Sequence, residues 1–143
     1  MNTFWDKRYK EIQLVYGLEP NQYFKSKLPN TTGKILLPGD GQGRNALFAA
    51  SKGWNVTAFD YSSVAKEQAD KLFHQHNVQV DFKTLSYQDC NFEKESFDCI
   101  ALIFNHMPVE FRKEIHQKYI SFLKPNGILI LESFSKKQIS LNS

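Results

Sequence analysis

Three glycines at alternate positions, Gly39, Gly41 and Gly43, are the chemically most informative feature of the sequence. They follow a short apolar segment at residues 34–37 and precede a segment at residues 44–52 with helical character. Glycine permits a sharp turn and lets the backbone approach a ligand, because it has no Cβ. The first turn of the next helix would present N–H groups and a positive dipole end to that ligand. The pattern therefore predicts a loop that binds a carboxylate or a phosphate. A β–α turn with a purely geometric role is the alternative.

Two aspartates follow this loop at the ends of later extended segments. Asp60 ends the segment at residues 55–59, where a carboxylate can accept both hydroxyls of a ribose or can cap a helix. Asp89 follows the segment at residues 78–85, where it can accept from a purine amine or serve as an ordinary loop residue. Arg44 occupies the third glycine position of the dinucleotide fingerprint, and a P-loop sequence is absent. This order favours a nucleoside joined to an amino acid over a nucleoside diphosphate.

Helical and extended segments alternate along the chain and must position these residues. The predicted helices cover residues 3–16, 20–28, 44–52, 62 or 63 to about 77, and 108–123. The predicted strands cover residues 34–37, 55–59, 78–85, 97–104 and 128–134, with a turn at residues 124–127 before the last one. Such alternation is typical of βαβ crossovers, so the sequence predicts an α/β fold with a parallel sheet and helices on both faces.

The composition indicates one globular domain and limits the kinds of partner that we expect. The chain has 143 residues, 41% hydrophobic and 23% charged, with a net charge of +3, which is typical of one globular domain. The basic residues are scattered, so we expect no nucleic-acid partner. Cys90 and Cys99 are the two cysteines and have no metal-ligand spacing, so no disulfide scaffold and no metal site are expected. No secretory signal or membrane-length apolar run occurs, and a soluble cytoplasmic protein is predicted.

The motifs together resemble those of the class I S-adenosylmethionine-dependent methyltransferases, in particular the small tellurite-resistance and thiopurine-methyltransferase-like branch. The resemblance covers nearly the whole chain. It rests on Trp5-Asp6-x-Arg8-Tyr9, Tyr16-Gly17-x-Glu19-Pro20-Asn21, Gly39-Asp40-Gly41-Gln42-Gly43-Arg44-Asn45, Ala58-Phe59-Asp60-Tyr61-Ser62, Phe97-Asp98 and Leu123-Lys124-Pro125-Asn126-Gly127. It implies a Rossmann-like sheet in the strand order 3-2-1-4-5, with S-adenosyl-L-methionine as cofactor.

The resemblance also implies a set of cofactor-binding residues. The three glycines would flank the methionine part, Asp60 would bind the ribose and Tyr61 would pack on the adenine. Asp89 and the Cys90 backbone would hold the adenine edge, and Phe104 and Asn105 would line the floor near the methyl group. The remaining cofactor candidates in these motifs are Tyr16, Asp40, Arg44 and Ser62.

Two departures from the family pattern affect these expectations. Many class I members have an acidic residue near the end of strand one, whereas this chain has Leu37-Pro38, so one contact to the methionine end is missing or is replaced by Arg44. The family sheet has seven strands, and this chain ends just past the fifth. We expect one domain over residues 1–143, with a helical lid at 1–30 and a core at 33–143. We also expect the final family strands to be absent and the exposed edge of strand five to pair with a second copy.

The candidate chemistry is methyl transfer to a small molecule such as a thiol or another soft nucleophile. His106, at the carboxyl end of strand four, is the candidate catalytic residue, since it can position or deprotonate an acceptor; local hydrogen bonding is the alternative. Trp5, Tyr9 and Arg112 are the candidate substrate-binding residues. A shortened, non-catalytic cofactor-binding module is the second hypothesis, and Arg44 disfavours a third, a nicotinamide oxidoreductase.

Overall fold

The computed structural model of the chain describes residues 19–105 and 107–133. The helices are α1 (Gln22–Lys27), α2 (Arg44–Ser51), α3 (Ser63–Gln75) and α4 (Val109–Phe122). The strands are β1 (Lys34–Pro38), β2 (Asn55–Asp60), β3 (Asp81–Thr84), β4 (Phe97–Ile103) and β5 (Leu123–Glu132). The predicted helix at residues 3–16 and the end of the last predicted strand, Phe134, lie outside the described residues.

The five strands form one parallel sheet in the order β3-β2-β1-β4-β5. The predicted fold class and strand order are therefore confirmed. The chain runs from β1 through β2 to β3 on one side and places β4 and β5 on the other side of β1, so the order switches between β1 and β4. Open α/β sheets bind ligands at the carboxyl ends of the strands at such a point. The loop that contains the three glycines leaves β1 at this place.

The two faces of the sheet bury separate apolar clusters, because alternate residues of each strand point to opposite sides. On one face, Ile35 and Leu37 of β1 belong to a cluster with Leu47 of α2 and Phe73 of α3. On the other face, Leu36 lies in a cluster that includes three buried residues of α4 (Ile115, Tyr119 and Phe122). Burial on both faces explains why the central strands are almost continuously apolar.

The predicted turn at residues 124–127 is wrong, because the chain passes directly from α4 into β5. Leu123 pairs with Phe97, and the next pair is Ile128 with Cys99. Residues 124–127 therefore lie opposite Asp98 alone and form an irregular bulge in the first part of β5, and a bulge uses the same turn-forming residues, Pro and Gly, as a free turn does.

Three elements are also shorter than the sequence predicts. β3 covers only Asp81–Thr84, α3 ends at Gln75, and α1 begins at Gln22 after Asn21. The Asn21 side chain accepts from the Phe24 N–H and so caps this helix two residues later than expected. No helix in the described part of the chain has the length and apolar character needed to cross a membrane.

Candidate functional site

The glycine loop, residues 39–43, joins β1 to α2 with three left-handed residues. Gly39, Gly41 and Gly43 have φ values of +62°, +67° and +88°, a conformation that strains any residue with a Cβ. At Gly43 a Cβ would also lie 2.7 Å from Phe73 Cζ and 2.9 Å from Ala69 Cβ on α3. The third glycine therefore allows α2 and α3 to pack closely, while Gly39 is exposed at the carboxyl end of β1.

Asp60 connects this loop to the end of β2. Its Oδ2 accepts from the Gly41 N–H at 2.9 Å, and its Oδ1 accepts from the Ser62 N–H at 3.0 Å. The residue is only 4% exposed. A buried carboxylate is stabilised by backbone N–H donors, so Asp60 fixes the loop against β2 as well as lying where the sequence predicts a ribose acceptor.

Asp40 provides a second carboxyl group in the same loop. Its N–H donates to the Phe59 carbonyl at 3.1 Å, and its Oδ2 accepts from the Ala46 N–H of α2 at 3.3 Å. Burial raises the pKa of Asp40 well above its ordinary value, and the negative charge of Asp60 raises it further. The hydrogen bond from the Ala46 N–H and the positive charge of Arg44 lower the pKa and partly offset this rise. The expected open anion site at the start of α2 is thus partly occupied by the chain's own carboxyl group.

Tyr61 and Asp89 lie beyond β2 and β3 on the side predicted to receive adenine. Tyr61 is 57% exposed, although it stands between the buried Asp60 and Ser62. Asp89 is exposed in a turn in which its N–H donates to the Ser86 carbonyl and hydroxyl. An exposed ring and an exposed carboxylate are thus available at the positions where the sequence predicts adenine contacts.

Cys90 has a mainly structural environment in the same turn. Its N–H donates to the Ser86 carbonyl at 3.1 Å, so this backbone group already has a partner within the chain. Its buried thiol donates to the Tyr87 carbonyl at 3.3 Å, and burial raises its pKa. Lys118 of α4 donates to the Gln88 carbonyl at 3.1 Å and holds the turn from outside.

Phe104 and Asn105 leave β4 beside the glycine loop. Phe104 has φ +49°, an uncommon value for a residue with a large side chain, and its N–H donates to the Glu132 carbonyl at 2.8 Å. The Asn105 side chain donates to the Pro38 carbonyl at 2.8 Å, and a Cβ on Gly39 would approach Asn105 Nδ2 to 3.3 Å. Backbone strain held in this way often marks a functional site.

The sequence interpretation missed a polar network at this end of the sheet. The Asn21 N–H donates to Asn45 Oδ1 at 2.8 Å, and Asn21 Nδ2 donates to Glu132 Oε1 at 2.9 Å. The buried Gln42 side chain donates to Gln68 of α3. Asn21, Gln42 and Asn45 all occur in the motifs quoted above, but their long-range partners leave no local pattern in the sequence.

Several predicted site residues are not part of this geometry. Four lie outside the described residues: His106, Tyr16, Trp5 and Tyr9. Arg112 is exposed on α4. Burial is the main cause that lowers the pKa of His116, and the positive charge of Arg112 lowers it further.

Most of the residues that form this site lie within a segment that matches a known protein family. Residues 35–127, which include the glycine loop, Asp60, Asp89 and Asn105, match the family described as "Methyltransferase domain". The chain belongs to this family. Its predicted membership of the class I S-adenosylmethionine-dependent methyltransferases is thereby confirmed.

Individual relatives of this methyltransferase-family chain are distant. It is 23% identical over 160 aligned positions to the thiopurine S-methyltransferase of Vibrio cholerae, covering 97% of this chain and 72% of the relative. It shares its fold with the PH0226 protein of Pyrococcus horikoshii OT3 (TM-score 0.72, 17% identity, 99% of this chain and 59% of the other). It also shares it with Haemonchus contortus phosphoethanolamine N-methyltransferase 2, solved with phosphomonomethylethanolamine and S-adenosylhomocysteine (TM-score 0.72, 20% identity, 95% and 36%). The chain thus spans less than two thirds of the length of either structural relative.

The residues of the site fit the cofactor of this family. The left-handed Gly39 allows close approach of the backbone, and its missing Cβ leaves space beside Asn105. Tyr61, whose ring is exposed, directly follows Asp60 in the sequence. The carboxyl ends of β1 and β2 thus bring together a backbone that a ligand can approach closely, an exposed aromatic ring and acidic groups, which are groups that a nucleoside joined to an amino acid can contact.

Proposed function

We propose that the chain binds S-adenosyl-L-methionine at the carboxyl ends of β1, β2 and β4 and catalyses methyl transfer to a small-molecule acceptor. The observation that carries the proposal is the Asp60 carboxylate, which joins the glycine loop to the end of β2 within a match to the methyltransferase family. When bound, the cofactor would supply a methyl group on a positively charged sulfur; the nucleophile of the acceptor would bond to the methyl carbon as the carbon–sulfur bond breaks, and S-adenosylhomocysteine would leave.

The protein contributes orientation to this reaction, an effect worth up to about 7–11 kcal/mol when the reacting atoms are aligned. Asp60 and Asp89 bind the ribose and the adenine amine, and Tyr61 packs against the adenine. Phe104 and Asn105 form the floor beside the reacting methyl group. The hydrogen bond from Asn105 to the Pro38 carbonyl supports this role, since it fixes that floor to the end of β1.

His106 remains the candidate for positioning or deprotonating the acceptor, because it directly follows Asn105 in the sequence. A His106→Ala variant should lower turnover and leave the affinity for S-adenosylhomocysteine unchanged. Loss of affinity alone would remove His106 from the chemistry. Trp5, Tyr9 and Arg112 are the proposed acceptor-side residues, and Tyr16 is proposed to contact the cofactor.

A thiol or another soft nucleophile is the proposed acceptor class. The support is the distant relative named thiopurine S-methyltransferase, which aligns with 97% of this chain. The second candidate function is a cofactor-binding module without turnover, in which the described binding loop serves to hold the cofactor alone.

Calorimetry with S-adenosylhomocysteine and, separately, NADH tests the cofactor. Binding of the first alone is expected, and binding of NADH alone would overturn the proposal. A methyl-transfer assay on a panel of small thiols then separates the two candidate functions. Product formation supports the enzyme, and tight cofactor binding without product on any acceptor supports the module.

β5 is the outer strand of the sheet within residues 19–105 and 107–133, and we propose that a second copy of the chain pairs with it. Three apolar side chains on it are largely exposed: Ile128 (45%), Leu129 (39%) and Leu131 (48%). An apolar edge strand is a ready template for pairing with another strand. Sedimentation analysis should show a dimer that Leu131→Lys weakens, and a monomer at high concentration would exclude this partner.

A further inference from the structure

Glu132, at the carboxyl end of β5, holds two other segments of the chain at once. Its backbone carbonyl accepts from the N–H of Phe104, the left-handed residue that follows β4, at 2.8 Å. The strand register explains this contact, because Ile103 pairs with Glu132. Its side-chain Oε1 accepts from Asn21 Nδ2 at 2.9 Å. β5 is thereby joined both to the end of β4 and to the residue that caps α1.

Asn21 continues this connection to the helix that follows the glycine loop. Its backbone N–H donates to Asn45 Oδ1 at 2.8 Å, and Asn45 is the second residue of α2. Its side-chain oxygen accepts from the Phe24 N–H at 2.8 Å. Together with the bond to Glu132, these contacts fix the partly buried Asn21 between α1, α2 and β5.

These contacts close a ring at the carboxyl ends of β1, β4 and β5. On the β1 side of β4, Asn105 Nδ2 donates to the Pro38 carbonyl at 2.8 Å, and the glycine loop leads from there to α2. The polar ring thus consists of the glycine loop and of Asn45, Asn21, Glu132, Phe104, Asn105 and Pro38. A closed ring of contacts sets the distance between the glycine loop and the proposed floor.

We propose that Asn21 is a positioning residue for the cofactor, because its bridge from Asn45 to Glu132 sets the gap between the glycine loop and the floor at Phe104 and Asn105. The inference rests on the proposed function, since it assumes that the cofactor binds at this loop. The gap receives the methionine part of the cofactor, whereas the ribose and the adenine bind at the ends of β2 and β3, outside the polar ring. Loss of the bridge should therefore weaken ligands with the amino-acid part and spare adenosine.

Asn21→Asp breaks the bridge selectively. The new carboxylate still accepts from the Phe24 N–H, and aspartate caps helices about as well as asparagine does. The side chain has no donor left for Glu132, and two carboxyl groups then face each other. Glu132→Gln keeps an oxygen for Asn21 Nδ2 and so preserves the bridge. The double variant restores the bridge with reversed polarity, because the new amide donates to the new carboxylate.

Calorimetry on the full chain with S-adenosylhomocysteine and, separately, with adenosine measures the effect. We expect Asn21→Asp to weaken S-adenosylhomocysteine about tenfold and adenosine less than about twofold. Glu132→Gln and the double variant should bind both ligands within about twofold of wild type. Asn55→Asp is the matched control, because it makes the same change at an exposed residue at the amino end of β2. It should bind both ligands as the wild type does.

Urea denaturation of the same variants checks that each of them is folded. Glu132→Ala serves as a second variant if Asn21→Asp does not fold, because it removes the acceptor of the bridge without bringing two charges together. It leaves the cap of α1 intact and should weaken S-adenosylhomocysteine several-fold. The comparison with Glu132→Gln then decides the inference with this one ligand.

Four results would overturn the inference and leave the proposed function intact. The first two are unchanged S-adenosylhomocysteine affinity in Asn21→Asp and a double variant that binds no better than Asn21→Asp. The third is a loss in Glu132→Gln as large as that in Asn21→Asp or Glu132→Ala, which would assign the effect to the charge of Glu132. The fourth is an equal loss for adenosine, which would mean that Asn21 only stabilises the fold. A wild-type chain that binds no S-adenosylhomocysteine would overturn the proposed function and this inference with it.

Discussion

The two ends of the sheet use aspartates in opposite ways. At the amino end, Asp98 of β4 accepts from the Lys34 N–H of β1 at 2.9 Å and pairs with Lys124 of β5 at 3.1 Å. The Lys34 N–H, followed by the Lys124 side chain, lowers the pKa of Asp98. At the carboxyl end, Asp40 lies near Asp60, and its pKa is raised.

This contrast distinguishes an aspartate that stabilises the sheet, Asp98, from two aspartates at the proposed cofactor site, Asp40 and Asp60. The charge at the amino end is compensated by a neighbouring cation, as expected for a group that only joins strands. The carboxyl end combines two carboxyl groups with left-handed backbone, an arrangement that costs stability and is kept where a ligand binds. The following predictions test this difference, from the largest expected effect to the smallest.

The largest effect is expected from glycine substitutions at the two ends of α2. Gly43→Ala places a Cβ 2.7 Å from Phe73 in a left-handed residue and should lower the free energy of unfolding by about 3–4 kcal/mol. Gly53 is also left-handed, but its nearest neighbour is Thr32 Cγ2 at 3.2 Å, so Gly53→Ala should cost about 1–2 kcal/mol. Urea denaturation measures both, and equal losses would refute close helix packing as the reason for Gly43.

The next prediction compares Asp60 at the carboxyl end of the sheet with Asp98 at the amino end. Asp60→Asn would turn one carboxylate oxygen into an amide that faces a backbone donor, Gly41 or Ser62, and should cost about 2–3 kcal/mol. Asp98→Asn affects a side chain that is 38% exposed and should cost no more than about 1 kcal/mol. The same denaturation series measures the pair, and a larger cost at Asp98 would contradict the proposed contrast.

The pH dependence of stability should also differ in sign between the two ends. The folded chain holds the Asp40 proton to a higher pH than the unfolded chain does, so ionisation of Asp40 lowers stability as the pH rises above about 4. Asp40→Asn should therefore gain about 1 kcal/mol relative to wild type at pH 7 and little at pH 4.

Asp98 has the opposite sign. Because its pKa is lowered, its stabilising contribution is present above about pH 4 and is lost as the pH falls through the folded-state pKa. Thermal denaturation of wild type, Asp40→Asn and Asp98→Asn between pH 3 and 8 measures both trends. A difference between Asp40→Asn and wild type that does not vary with pH would be inconsistent with a raised pKa.

The smallest effect is expected at Asn105. Asn105→Ala removes the hydrogen bond to the Pro38 carbonyl and should cost about 1 kcal/mol of stability and a few-fold in cofactor affinity. Lys124→Ala at the amino end removes an exposed ion pair and should cost about 0.5 kcal/mol with no change in affinity. Unchanged affinity in Asn105→Ala would place Asn105 outside the cofactor site.

Local patterns in the sequence predicted most of the sheet and the identity of the glycine loop. Apolar segments define β1, β2 and β4, and the alternating order of elements implies a parallel sheet. The bulge in β5 was not predictable, because Pro125 and Gly127 have the same local preferences in a turn and in a bulge. The partners of Asp40 and Asn21 were not predictable either, since they depend on how distant segments pack.

The most direct test of the central claim is a nuclear magnetic resonance titration of the 15N-labelled chain with S-adenosylhomocysteine. We predict that amide signals shift at the carboxyl end, at Gly39, Gly41, Tyr61 and Asn105, and remain in place at the amino end, at Gly33, Gly53 and Asp98. Shifts confined to the amino end, or none at saturating ligand, would contradict the placement of the cofactor site.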